Sequence, residues 1–325
     1  MALLDAAKQI RPLTKNDMKS KEKREFLLRK YAKEVECFPF VTSHGQSNVG
    51  KNSYICPLCL RIFRLAQLGS DINMFITLEH IPPENLGGKP LILTCKDCNS
   101  NCGHDLDVYL RNELEHREGK YFNDPKGYVS KFEYGGNSVN AIMKEDENGI
   151  VNIYIENKHN PPSVVDRFVE STNACEGDLN IPGSFKLGNH RRKTEVVDVA
   201  ILKSAYLFSF YKFGYKYILR TNLNAIRKQI MNPNEKIIPP YYLLLNESHI
   251  PDFIPDNVYI AILDGEKVLV VILSFNLSGS NYIHRFATIL PMPNTKDLDL
   301  YNRLQNNSET KREVEVKFLG IAQVE

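Results

Sequence analysis

Four cysteines fall in two Cys-x-x-Cys pairs, Cys56-Pro57-Leu58-Cys59 and Cys95-Lys96-Asp97-Cys98. Between the pairs the chain carries Glu79-His80 and a Gly87-Gly88 step, and Asn99 directly follows the last cysteine. Thiolates are strong donors for zinc, and a closed tetrahedral site is commonly built from two such pairs, each on a tight knuckle, brought together over an intervening excursion of chain. The spacing predicts one Zn2+ held by Cys56, Cys59, Cys95 and Cys98, with no open position for a reacting water. Three cysteines remain, Cys37, Cys102 and Cys175. An odd total, mostly in paired spacing, argues for metal thiolates in a reducing, cytoplasmic setting over a disulfide framework. Cys102 comes after the two-pair pattern is complete and reads as a helix residue against the core.

These side chains need a scaffold. MFITLEHI (74–81) is β-branched and aromatic in the manner of a strand, Gly87-Gly88 supplies a turn, and PLILT (90–94) is the return strand. After Cys98 there is no proline until Pro125, and Leu106, Leu110 and Leu114 recur at helical spacing. The order is strand, turn, strand, helix. In an ideal strand Glu79 and His80 point to opposite sides, so they can serve one site only where the strand end bends.

The stretch from Cys56 to Asp107 resembles an HNH endonuclease of the ββα-metal type, in the zinc-stapled subgroup with the pattern Cys-x-x-Cys, Glu/Asp-His-Ile-x-Pro, Gly-Gly, Cys-x-x-Cys-Asn. It departs from many members in having Pro90 where an Asn follows the Gly-Gly, which bears on the geometry of the loop more than on the chemistry. The resemblance implies a structural zinc and a separate hard ion, Mg2+ or Mn2+, for phosphodiester hydrolysis. It implies His80 as general base, Glu79 as a ligand of the hard ion and Asn99 as the other ligand. His104 is the alternative ligand, which Asp105 or Asp107 could orient. For the lone histidines 44, 116, 159, 249 and 284, a surface or satisfied core position is the expectation. What it implies about partners is DNA, with RNA open, and the setting such domains usually have is bacterial restriction or phage defence.

The remainder of the chain reads from composition and pattern. The 325 residues are enough for two domains, here 1–120 with the nuclease-like segment and 121–325 with an α+β domain for target selection, sensing or self-association. A net charge of +2 requires any basic, nucleic-acid-binding surface to be local. No apolar run approaches the ~20 residues of a membrane span, and the N-terminus does not read as a signal peptide. Residues 15–36 are dense in Lys and Arg, with Phe26, Leu27, Leu28, Tyr31 and Val35 towards one helical face. Lys19, Lys21, Lys23, Arg24 and Lys30 are the phosphate-contacting candidates there, against the plainer account of a solvated amphipathic helix. Residues 38–53 read as a linker, and HRRK (190–193) as a solvated loop.

Further on, Asn148-Gly149 between alternating runs predicts a hairpin, and VVDRFVES a short helix. The segment 194–219 predicts a buried core helix that Gly214 ends, and 222–233 a second helix with Asn222 as N-cap. YYLLLN (241–246), VYIAILD (258–264), KVLVVILSF (267–275) and HRFATILP (284–291) predict an antiparallel sheet. The fold class is therefore α+β: a basic helix, a zinc-stapled ββα segment, and a C-terminal sheet with a long buried helix. Two functions follow, a divalent-metal-dependent endonuclease and a zinc-stapled nucleic-acid-binding module that does not cut. The presence of Glu79, His80 and Asn99 favours the first.

Overall fold

The computed structural model of the chain describes residues 20–36, 40–42, 45–47, 52–68, 75–118, 127–134, 136–173, 184–186, 193–239, 243–245, 254–263, 265–293, 301 and 316–322. The fold is mixed α and β, and every strand pairing described is antiparallel. Helix α1 (Ser20–Val35) buries Leu27, Leu28, Tyr31, Ala32 and Val35. Phe26, which its position in the sequence groups with them, is instead 48% exposed. At about 100° per residue it projects to the side of the stripe that the others form.

The expected linker at 38–53 instead contains β1 (Phe40–Thr42) paired with β2 (Gly45–Ser47), and it ends in β3 (Ser53–Ile55). The Ser, Asn and Gly content masked three-residue strands that are too short to show a period. β3 pairs with β4 (Ile62–Arg64) around the first cysteine pair. β5 (Ile76–Ile81) and β6 (Lys89–Cys95) form the next ribbon, joined by a 3-10 turn at Glu84–Leu86 and the Gly87-Gly88 step. A Cβ on Gly88 would lie 1.5 Å from the Pro82 carbonyl oxygen, so this connection tolerates no side chain there. The chain then enters α2 (Lys96–Cys102), a turn of π-helix (Gly103–Asp107) and α3 (Val108–Arg117). Leu106, Leu110 and Leu114 are fully buried, as their spacing predicts.

β7 (Tyr128–Tyr134), β8 (Asn137–Glu145), β9 (Val151–Tyr154) and β10 (Ser184–Lys186) form a sheet in the order β10-β7-β8-β9. The β8–β9 hairpin closes over Asn148-Gly149, where Gly149 takes φ +78°. α4 (Pro162–Asn173) buries Phe168 against Tyr134 and Val139 in a small core of its own.

α5 (Thr194–Phe213) is buried along most of its length, and it ends at Gly214 as the sequence predicts. Gly214 adopts φ +62°, and a Cβ there would meet the Glu34 carboxylate at 1.8 Å. Glu34 instead accepts the Tyr215 backbone N–H at 2.5 Å, tying α1 to the restart of the chain. α6 (Asn224–Met231) follows a 3-10 turn at Thr221–Leu223. The expected cap Asn222 lies inside that turn and donates its Nδ2 to the Met292 carbonyl at 3.0 Å, a tertiary bond that outweighs the local one.

The C-terminal sheet has the order β11-β14-β13-β12-β15, from β11 (Leu243–Leu245), β12 (Asn257–Leu263), β13 (Glu266–Phe275), β14 (His284–Pro291) and β15 (Val316–Ile321). Alternate residues of β13 divide between two faces: Leu269, Val271, Leu273 and Phe275 join the main core, and Val268, Val270 and Ile272 a second cluster. The main core is continuous from α1 through the cysteine segment to α5 and this sheet. It crosses the expected boundary at residue 120, because α5 packs on α3, β5 and β6 on one side and on β13 and β14 on the other. No helix of the described residues is long and apolar enough to cross a membrane.

Candidate metal centre and the residues around it

The two Cys-x-x-Cys pairs meet. The sulfurs of Cys56, Cys59, Cys95 and Cys98 all lie within 4.8 Å of one another, close enough to hold a metal ion, and they are the one such cluster among the described residues. Cys59 Sγ and Cys95 Sγ are 3.7 Å apart. That is too far for a disulfide, whose sulfurs lie about 2.05 Å apart. It is close to the edge of about 3.8 Å that four sulfurs at ~2.3 Å from a tetrahedral Zn2+ would have.

The first knuckle is shaped by Leu60 N–H donating to the Cys56 carbonyl at 2.9 Å, with Leu60 at φ +57°. The second begins where β6 ends, and the Cys95 N–H points at Cys56 Sγ at 3.4 Å. The four crowded sulfurs shift one another's ionisation. Hydrogen bonding from Cys56 holds the Cys59 and Cys95 thiols below their ordinary value, while Cys59 and Cys56 push Cys56 and Cys98, respectively, above it. Cys102 is different. It is buried, and burial pushes its thiol up to about 12, as for a packed, inert cysteine.

Tyrosines from elsewhere in the chain hold the knuckle. Tyr206 Oη donates to the Pro57 carbonyl at 2.8 Å, and Tyr215 Oη donates to the Ile55 carbonyl at 2.6 Å while accepting the Ile55 N–H at 3.0 Å. Tyr54 Oη donates to the Leu93 carbonyl. Arg227 in turn donates to Tyr206 Oη at 3.2 Å. Nothing in the local sequence around Cys56 signals these partners, which stand up to 160 residues away.

The β5–β6 ribbon breaks register between Glu79 and His80: Glu79 stands opposite Ile92 and His80 opposite Pro90, leaving Leu91 unpaired. This irregularity falls at the step where the strand had to bend for both residues to serve one site. His80 is half-buried and Glu79 buried. Asn99, in α2, donates its Nδ2 to Thr77 Oγ1 at 2.8 Å and to the Leu78 carbonyl at 3.1 Å. It therefore clasps helix to ribbon, and its carbonyl oxygen is the atom left for a ligand. His104 sits in the π turn with its side chain 89% exposed and Nδ1 3.0 Å from Asp105 Oδ1. Asp107 faces inward instead.

Glu79 has company that the sequence did not announce. Its Oε1 lies 3.1 Å from Lys203 Nζ, and its Oε2 accepts Thr94 Oγ1 at 3.1 Å. The same ammonium lies 2.9 and 2.8 Å from the two oxygens of Asp107. Burial alone would lower the Lys203 pKa, but the Asp107 and Glu79 carboxylates more than reverse this and hold it charged, well above the ordinary lysine value. Both Glu79 oxygens are thus engaged, and a divalent ion there would have to share the carboxylate with the Lys203 ammonium. Of the residues expected to hold that ion, Glu79 stands in an ion pair with Lys203 and Asn99 is bonded through its Nδ2.

On α1, Lys21 is exposed and Lys23 and Arg24 are partly buried. Lys30 lies over the rings of Tyr31 and Tyr211, 5.0 and 5.6 Å from their centroids, and burial lowers its pKa. Lys19 lies outside the described residues, as do His44, His249, Cys37, Cys175 and most of the HRRK run. His284 is a satisfied core histidine, 2.8 Å from Glu118 Oε1.

Comparison with protein-family models, curated proteins and solved structures finds no match to this chain.

Proposed function

We propose that this chain is an endonuclease of the HNH kind, hydrolysing phosphodiester bonds of DNA, with a structural Zn2+ on Cys56, Cys59, Cys95 and Cys98. What carries the proposal is the placement of His80. It is a half-buried imidazole at a register break in a two-stranded ribbon, with the helix that follows clasped onto the same ribbon by Asn99 and anchored by the cysteine cluster. Imidazole is the side chain suited to taking the proton of an attacking water, near neutral pH, as that water adds to phosphorus. The zinc takes no part in that step, since a four-thiolate site has no open position. Restriction or phage defence is the setting we favour, with the C-terminal sheet and α5 as the part that selects the target.

The test is conversion of supercoiled plasmid by the purified full chain, with EDTA, Mg2+ and Mn2+ arms that separate ion-dependent from ion-independent cutting. Cleavage in at least one arm that disappears in His80→Ala is the expected result, and no cleavage in any arm sinks the proposal. RNA and single-stranded DNA in parallel reactions identify the substrate.

A second reading has an observation in its favour. Lys203 engages Glu79, the carboxylate that a hard ion would need. This suits a zinc-stapled module that binds nucleic acid without cutting it.

Both readings require a basic surface, and α1 supplies the candidate. Replacing Lys19, Lys21, Lys23, Arg24 and Lys30 with Gln should weaken DNA binding alike for all sequences. The salt dependence, d log K/d log[salt], should become shallower by about 0.9 for each phosphate that is no longer neutralised. Lys30, already seated over two rings, should contribute least. An unchanged salt slope leaves α1 as a solvated packing helix.

A further inference from the structure

We propose that the Lys203 ammonium is the resident cation of the Glu79–Asp107 carboxylate pair, occupying the place that a divalent ion would need in order to use Glu79 as a ligand. An ammonium has three N–H donors and no acceptor. Lys203 Nζ faces three carboxylate oxygens: it hydrogen-bonds Asp107 Oδ1 and Oδ2 at 2.9 and 2.8 Å and forms an ion pair with Glu79 Oε1 at 3.1 Å. The fourth oxygen, Glu79 Oε2, is taken by Thr94 Oγ1. Lys203 and Glu79 are 1% and 3% exposed, so the Glu79 charge is met by the Lys203 ammonium rather than by solvent.

The lysine cannot withdraw with its helix. α5 is fastened to the cysteine knuckle by Tyr206, one turn beyond Lys203, and it lies in the core that joins the two halves of the chain. A divalent ion brought to Glu79 would meet a fixed positive charge within hydrogen-bonding distance of its own ligand, at low effective dielectric. Lys203 is therefore a positioning residue. It places one positive charge between the buried Glu79 and the partly buried Asp107, joins ribbon to π turn to α5, and opposes entry of divalent ions at Glu79. This goes beyond the nuclease reading and does not depend on it.

Mn2+ binding tests it without reference to activity. Zinc-loaded full-length protein is titrated with Mn2+, and free Mn2+ is followed by its electron paramagnetic resonance signal. Wild type and Glu79→Gln should have the same Mn2+ affinity, within about twofold. Lys203→Met keeps the straight apolar stem but removes the charge. It should gain a Mn2+ site at least tenfold tighter than any in wild type, and this site should vanish in the Lys203→Met/Glu79→Gln double variant.

A tenfold or larger loss of Mn2+ affinity in Glu79→Gln alone overturns the proposal, as does a folded Lys203→Met that gains no site. Where zinc content and circular dichroism show that Lys203→Met has not folded, the comparison of wild type with Glu79→Gln decides by itself. Plasmid cleavage in the same preparations keeps the two proposals apart. An inactive wild type removes the nuclease reading and leaves the Lys203 assignment standing, whereas activity with Glu79-dependent Mn2+ binding does the reverse.

Discussion

Cys95→Ser is expected to prevent the chain from folding, and freshly purified wild type is expected to carry one zinc per chain that survives dialysis. The reason is where the cysteines sit. Cys56, Cys95 and Cys98 are buried, and Cys95 is at once the last residue of β6 and the residue from which α2 starts. Without a metal, four polarisable sulfurs crowd one another within 4.8 Å. Structural Zn2+ in small cysteine sites supplies on the order of 10–16 kcal/mol at neutral pH. That is comparable with the whole stability of an ordinary domain, about 5–15 kcal/mol. The cysteine segment also shares its core with α1 and α5, so its loss should not stay local. The check is elemental analysis together with thermal unfolding of wild type, wild type with chelator, and Cys95→Ser. A zinc-free wild type that unfolds cooperatively would dispose of the four-thiolate site. Cys102→Ser serves as control. Its thiol belongs to the packed core and should leave the zinc content unchanged.

His80→Ala is expected to reduce cleavage by ~10²–10⁴, the contribution of a general base, while zinc content, melting behaviour and DNA affinity stay close to wild type. The separation is physical. His80 lies at the ribbon end, half-buried and outside the main hydrophobic core, so truncating it removes a proton acceptor and little packing. Asn99→Ala should behave differently, because it breaks two hydrogen bonds that hold α2 on β5. Its loss of activity should come with a lower melting temperature, and Mn2+ should restore only the part due to a missing ligand. His104→Ala, at an exposed position, should change little. A dead His104→Ala beside an active Asn99→Ala would transfer the ligand role to His104, and wild-type cutting by His80→Ala would end the nuclease proposal.

Local chemistry made much of this protein legible in one dimension. The Cys-x-x-Cys pairs could be read because each knuckle is built by four consecutive residues, so the spacing itself is the geometry. The Leu106, Leu110 and Leu114 stripe could be read because one helix turn fixes which residues share a face, and all three are fully buried. The Asn148-Gly149 hairpin and the strands from 257 to 291 followed from turn chemistry and alternation, which also operate over a few residues.

Tertiary structure decided what lies across the chain. That the glycine ending α5 also makes room for Glu34, far back in α1, is visible only in the fold. Asn222 gave up its cap for the Met292 carbonyl, 70 residues on. The environment of Glu79 was settled in the same way. From its neighbours it is a carboxylate beside a histidine on a strand; in the fold it shares Lys203, which comes from a core helix 96 residues beyond Asp107. A lysine in the middle of an apolar helix reads as an interruption until the helix is docked. Only docking shows that a buried Glu79 and a partly buried Asp107 share a cation supplied by the chain itself.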